Sequence, residues 1–314
     1  MTLNGGWAYR SQIDARGRGR AVLAYLVAQY AHSDEAGWRE HIALGEVSLQ
    51  GRRANGLELL CLGDVLIWNR PPWTEEVVPL SFALLYEDED LIAVGKPSGL
   101  ATLPGGGFLD NTLLARVRAR WPEASPMHRL GRGTSGLVLF ARTELARARL
   151  QLAWRGREVR KVYRALASGR PLLETFTVRA RIGPVQHALL GQIFAASPSG
   201  KVAISHVAVL ERRADESLVE VAIETGRPHQ IRIHLAAAGH PLAGDPLYIA
   251  PGIPAPGTRA LPGDAGYLLH ASLLAFAHPR SGEAVVLRCA PPPGLEVNAN
   301  HPALRDSSPG PRPA

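Results

Sequence analysis

A succession of short apolar runs separated by turn residues does most to limit how these 314 residues can fold. Residues 136–141 are an apolar run short enough for a buried strand. Residues 80–86, 91–94, 159–166, 218–223 and 272–277 also read as strands. The acidic turn 87–90 joins the first two of these, and the last turns through 278–282 into 284–287. Helical spacing lies between them. Val22, Leu23, Leu26, Val27 and Tyr30 recur as one face within 18–30, and Ser33-Asp34-Glu35 offers N-cap chemistry to a second helix carrying Trp38 and Ile42. Asn111-Thr112 can cap a helix running toward Arg120, and Thr143 starts one with Leu145, Ala148 and Leu152 on one face. Many short strands with interspersed helices imply an α+β fold with a mainly antiparallel mixed sheet.

Composition divides the chain further. Residues 1–16 read as a flexible polar tail, 17–72 as a small α+β module, and 73–80 as a stiff linker following Pro71-Pro72 and containing Pro79. Residues 81–293 form the main domain, and 294–314 a Pro-rich tail that is expected to be disordered over 298–314. No run of about 18 apolar residues exists, so no membrane span is expected. Residues 1–11 lack the apolar core of a signal peptide. Cys61 and Cys289 have no metal-like spacing and read as inert thiols of a reducing compartment. The expected location is the cytoplasm, and the expected state a monomer.

The formal charge of +7 suits an anionic partner such as RNA. Residues 1–80 carry 8 basic and 9 acidic side chains, leaving 27 and 19 for the rest, so the excess lies in the main domain. Arginine supplies nearly all of it, because the lysines are only Lys96, Lys161 and Lys201. An arginine-rich composition would give the same count without any phosphate contact.

Chemistry is concentrated in separated blocks. Leu91-Ile92-Ala93-Val94-Gly95-Lys96-Pro97-Ser98-Gly99 is a strand with a Lys-Pro-x-Gly turn, and His128-Arg129-Leu130-Gly131-Arg132-Gly133-Thr134-Ser135-Gly136 precedes an apolar strand. Lys161-Val162-Tyr163 opens another strand. Thr225-Gly226-Arg227-Pro228-His229-Gln230-Ile231-Arg232-Ile233-His234 follows, then Gly239-His240-Pro241, Gly244-Asp245, Tyr248 and Leu269-His270-Ala271. Pro228 suits the first turn of a helix that Gly239 can close in a left-handed C-cap. On that helix His229, Arg232 and Leu235 share a face. His229 and His234, five apart, read as hydrogen-bonded scaffold, with no ligand cluster for a metal. Gly105-Gly106-Gly107 lacks the follow-up of a phosphate-binding loop, and Thr134-Ser135-Gly136 lacks that of a hydrolase elbow.

These blocks, in this order over roughly residues 86–293, resemble the RluA-type RNA pseudouridine synthases. The resemblance implies the pseudouridine synthase fold and isomerisation of uridine to pseudouridine in structured ribosomal or transfer RNA, with neither cofactor nor metal. Two helices followed by short strands and a Gly-Asp turn also resemble the small RNA-binding module named after a small-subunit ribosomal protein. The module is the favoured reading of residues 17–72, with an ordinary α+β cap as the alternative.

The resemblance implies a pocket in which Tyr163 meets the base and Arg232 partners the catalytic carboxylate. Arg129, Lys161, Arg227, His229 and Gln230 would contact RNA. Base extrusion is expected, because the glycosidic bond is hidden in stacked RNA. The family's catalytic aspartate position is Gly131 here, and glycine offers no nucleophile. Three readings stand open. Another carboxylate enters the pocket, Asp110 being the one named, although it also suits a helix N-cap region. Alternatively the fold binds RNA, as a chaperone or assembly factor, without isomerisation. Or the space at Gly131 serves a different reaction on a nucleotide.

Overall fold

The computed structural model describes residues 2–30 and 32–297, and the Pro-rich residues expected to be disordered at 298–314 lie outside them. The chain divides into two compact units, residues 1–77 and 78–314. No helix among the described residues is long and apolar enough to cross a membrane.

The first unit carries helices α1 (Val22–Gln29) and α2 (Glu35–Ala43) against a four-stranded sheet. Asp34 caps α2 by accepting a hydrogen bond from Gly37 N at 2.9 Å. Val22, Leu26, Trp38 and Ile42 are buried together with Val47, Leu66 and Trp68. Residues 1–16 are not the loose tail that their polarity suggested. Trp7–Gln12 is a strand paired antiparallel with Val65–Arg70, and Thr2–Leu3 pairs with Thr74–Glu75. Tyr9 stacks on Trp68 at 5.4 Å, and buried Asn4 donates to Glu75 at 2.7 Å. The aromatic alternation Trp7-Ala8-Tyr9 carried the strand signal, and the pairing of Thr74–Glu75 moves the unit's end past the expected linker start.

A ten-stranded sheet forms the second unit. Its main path runs Thr175–Val178, Ser205–Arg212, Glu216–Ile223, Arg160–Ser168, Leu269–Ala277, Ser135–Ala141, Leu91–Lys96 and Ala83–Glu87. The pairing of Ser135–Ala141 with Leu269–Ala277 is parallel and the other pairs of the sheet are antiparallel. The fold is therefore α+β with a mixed sheet. Two cores flank the path. One gathers Leu91–Lys96 and Ser135–Ala141 with α3 (Leu113–Arg118) and α4 (Glu144–Gly156); the other gathers Val207, Val219 and Val221 with α5 (Gln230–Ala237). Leu295 is fully buried with Leu166 and Leu218, so the packed chain continues beyond the expected boundary at 293.

Helix ends follow their caps. Thr112 and Thr143 accept from Ala115 N and Ala146 N, so Thr112 rather than Asp110 caps α3. Gly239, with φ of +86°, closes α5 in the left-handed conformation. Pro228 stands before that helix, and His229, itself left-handed at φ +53°, is the N-cap. The predicted face of α4 is corrected: Leu145, Ala148 and Leu152 are exposed, while Ala146 and Leu150 are buried.

Candidate active site

A cavity of about 570 Å³ opens between the loop 128–134, α4 and the start of α5. Local structure explains how each wall is held. Gly136, at φ +109°, lies so close to its parallel partner that a Cβ would stand 2.3 Å from Ala271 O; only glycine lets the strand approach. Ser135 is hydrogen-bonded to His270 Nδ1 at 2.9 Å. Lys96 Nζ donates to Pro97 O, Leu100 O and Arg132 O at 2.7–3.2 Å. Burial pushes that ammonium down to about 7, and the three carbonyls favour its charged form. His128 stacks on Trp154 and accepts from Leu139 N at 3.1 Å, with burial and then Lys161 holding it down to about 4.

Tyr163 and Arg232 both line the cavity, as do Arg129, Gly131, Lys161, Arg227, His229 and Gln230. Burial raises the Tyr163 hydroxyl to about 12, which keeps it a neutral donor, and it makes no hydrogen bond among the described residues. Lys161 is buried without a carboxylate partner among the described residues, and burial and then Arg157 lower its ammonium. Gln230 differs from expectation. Its Oε1 accepts from Thr225 Oγ1 and Arg227 N, while its Nε2 donates to Ile204 O and Ser205 Oγ, so the amide braces the turn with no capacity left for RNA. His234 is scaffold, tied to Ser205 Oγ and Ala180 O.

Asp110 is exposed and does not line the cavity. The carboxylate beside Arg232 is Asp245, which accepts from Nε and Nη2 at 2.7 Å each. Both side chains are nearly inaccessible, at 2% and 1%. Asp245 Oδ1 also accepts from Leu247 N and Tyr248 N, so the carboxylate is held behind the guanidinium and is not among the cavity's lining residues. Tyr248 and Tyr267 lie on Arg232, with ring centroids 5.0 and 4.3 Å from its Cζ. Sequence reasoning quoted Asp245 and Tyr248 within a motif but gave them no role, and it passed over Tyr267, Trp154 and Glu224. Tyr267 carries no local signal, because its place depends on a loop returning from a distant segment. Among the described residues no group of three or more His, Cys, Asp or Glu side chains could hold a metal ion.

Hydrogen bonding fixes the His229 tautomer. Tyr248 donates its only hydroxyl proton to Phe194 O at 2.7 Å, so it accepts from His229 Nδ1 at 2.6 Å. Burial, then Arg232, holds this imidazole down to about 4. It is neutral near pH 7, with a bare Nε2 that makes no hydrogen bond among the described residues. Around these groups the wall is basic: Arg129, Arg155, Arg157, Lys161, Arg227 and Arg232, against Glu224 as the one acidic lining residue described. Glu224 already accepts from His206 at 2.8 Å. Such a wall attracts a polyanion, and its interior offers donors and one acceptor to a flat polar ring.

Comparison with known proteins agrees with this chemistry. The family model for RNA pseudouridylate synthase matches residues 90–237. A Synechocystis protein described as an uncharacterized RNA pseudouridine synthase is 42% identical over 87% of this chain and 95% of its own. RNA pseudouridine synthase 5 of Arabidopsis thaliana is 37% identical over 94% and 95%, respectively. Ribosomal large subunit pseudouridine synthase D of Neisseria meningitidis serogroup B is 36% identical over 86% and 75%. Among solved structures, human RNA pseudouridylate synthase domain containing 1 superposes with a TM-score of 0.56 at 25% identity, covering 71% of this chain and 89% of that one. With blocks, fold and relatives in agreement, the chain belongs to the RluA-type RNA pseudouridine synthase family.

Proposed function

We propose that this protein is an active RNA pseudouridine synthase that converts uridine to pseudouridine in structured ribosomal or transfer RNA. The observation that carries the reading is one cavity of about 570 Å³, lined by both Tyr163 and Arg232 under a basic rim and large enough to admit an everted nucleotide. Arg129, Lys161 and Arg227 contact the flanking phosphates, and His229 Nε2 accepts from the imide N–H of the base. The small first unit serves as an additional RNA-binding module, and the protein works as a cytoplasmic monomer. Purified protein incubated with total RNA from a strain lacking the gene should release tritium from carbon five of labelled uridine. RNA binding without release would support the second reading, a binding protein using the same cleft. That reading draws on Glu224, the one acidic lining residue among the described residues, being engaged with His206.

A further inference from the structure

An exchange of an N-glycosidic for a C-glycosidic bond leaves the sugar carbon electron-deficient between bond breaking and bond making. Such a centre needs an oxygen lone pair at hand, and carboxylates or a tyrosine supply it in glycoside chemistry. Among the described residues the cavity is lined by one carboxylate, Glu224, which already accepts from His206, while Asp245 lies behind Arg232 and outside the lining. Two hydroxyls stand beside Gly131 instead. A Cβ at that position would lie 3.6 Å from Tyr267 Oη and 3.6 Å from Thr134 Oγ1. The two oxygens are 3.4 Å apart, a long and weak contact that leaves the phenol available. Tyr267 is 4% exposed, lines the cavity and rests its ring on the Arg232 guanidinium at 4.3 Å. A cation against that ring stabilises negative charge developing on the phenol oxygen. A phenol is also far more acidic than the aliphatic hydroxyl of Thr134.

We propose that Tyr267 is the catalytic residue of this cavity and supplies the oxygen that bonds the sugar carbon during isomerisation, within side-chain reach of the vacant position 131. The proposal rests on the synthase reading above. In the first step the phenol proton passes to O2 of the uracil as the C1′–N1 bond breaks. The bonding pair leaves with the ring, and Oη forms a bond to C1′. The neutral uracil then turns until C5 faces C1′. C5 bonds C1′ while the C1′–Oη bond breaks, its pair returning to the phenolate, which takes the C5 proton. The proton on O2 moves to N1, and substrate and product remain isomers.

The test compares wild-type protein with Tyr267→Phe and Thr134→Val on uridine-containing ribosomal RNA fragments, reading turnover, RNA affinity and thermal stability. Tyr267→Phe keeps the ring on Arg232 and removes only the hydroxyl. It should cut turnover by more than about a hundredfold while leaving RNA affinity within about threefold, as expected for loss of a nucleophile. A smaller loss, or a larger loss in Thr134→Val, overturns the assignment. If Tyr267→Phe does not fold, 3-fluorotyrosine at position 267 serves instead. The more acidic phenol should move the pH–rate profile to lower pH, and an unmoved profile overturns the proposal. Wild-type protein that binds RNA but never isomerises it defeats the synthase reading itself, and this assignment with it.

Discussion

Glycines show how much hangs on single residues here. At Gly136 a side chain would collide with the Ala271 backbone at 2.3 Å in a left-handed conformation, so Gly136→Ala should cost about 3 kcal/mol or more in denaturant unfolding. Gly131 differs: φ is ordinary and the nearest atoms are 3.6 Å from a Cβ. Gly131→Asp should therefore fold with a stability change of about 1 kcal/mol or less by the same measurement. Arg232 and Asp245 form a buried bidentate pair, and Asp245→Asn should cost about 3–5 kcal/mol because the guanidinium is left without its counter-charge. Sequence placed Tyr163, Arg232, Arg129 and His229 in one pocket because their motifs are ordered. It could not show that Gln230 is internally saturated, or that Tyr267 arrives beside Gly131 from 136 residues downstream.

Elements were legible where an apolar run is unbroken and ambiguous where the pattern is interrupted or doubled. The strands around Val94, Leu139 and Leu274 were read from uninterrupted apolar runs that lie buried. Ser205–Arg212 escaped notice because a register shift between Val209 and Glu211 interrupts its period of two. Ile182–His187 contains Pro184 and is half exposed, which hides a hairpin strand. In α4, apolar residues occupy two stripes, so spacing could not choose between them. Its rotation is set at the start by Thr143, which donates to buried Asp90 at 2.6 Å, and near its end by Trp154 on His128. Leu150→Ala should cost about 2–4 kcal/mol, whereas Leu152→Lys should change stability by about 0.5 kcal/mol or less, both read from denaturation midpoints.

The whole molecule should respond to pH and salt through the same cavity. His128 and His229 are each held down to about 4 in the folded protein, so the unfolded chain binds more protons between that value and about 6.5. Stability should be undiminished by these groups above pH 6.5 and fall as the solution is acidified toward pH 4. Each histidine contributes roughly 1–2 kcal/mol of loss at pH 5, measured as a lower midpoint in urea. For RNA, Arg155→Ala and Arg157→Ala should each flatten the slope of log affinity against log salt by about 0.7 for a single strand. The bidentate grip of Asp245 on Arg232 has one more outcome. The guanidinium that lies against the Tyr267 ring is anchored from behind, so it keeps its place beneath the pocket whether or not a nucleotide occupies it.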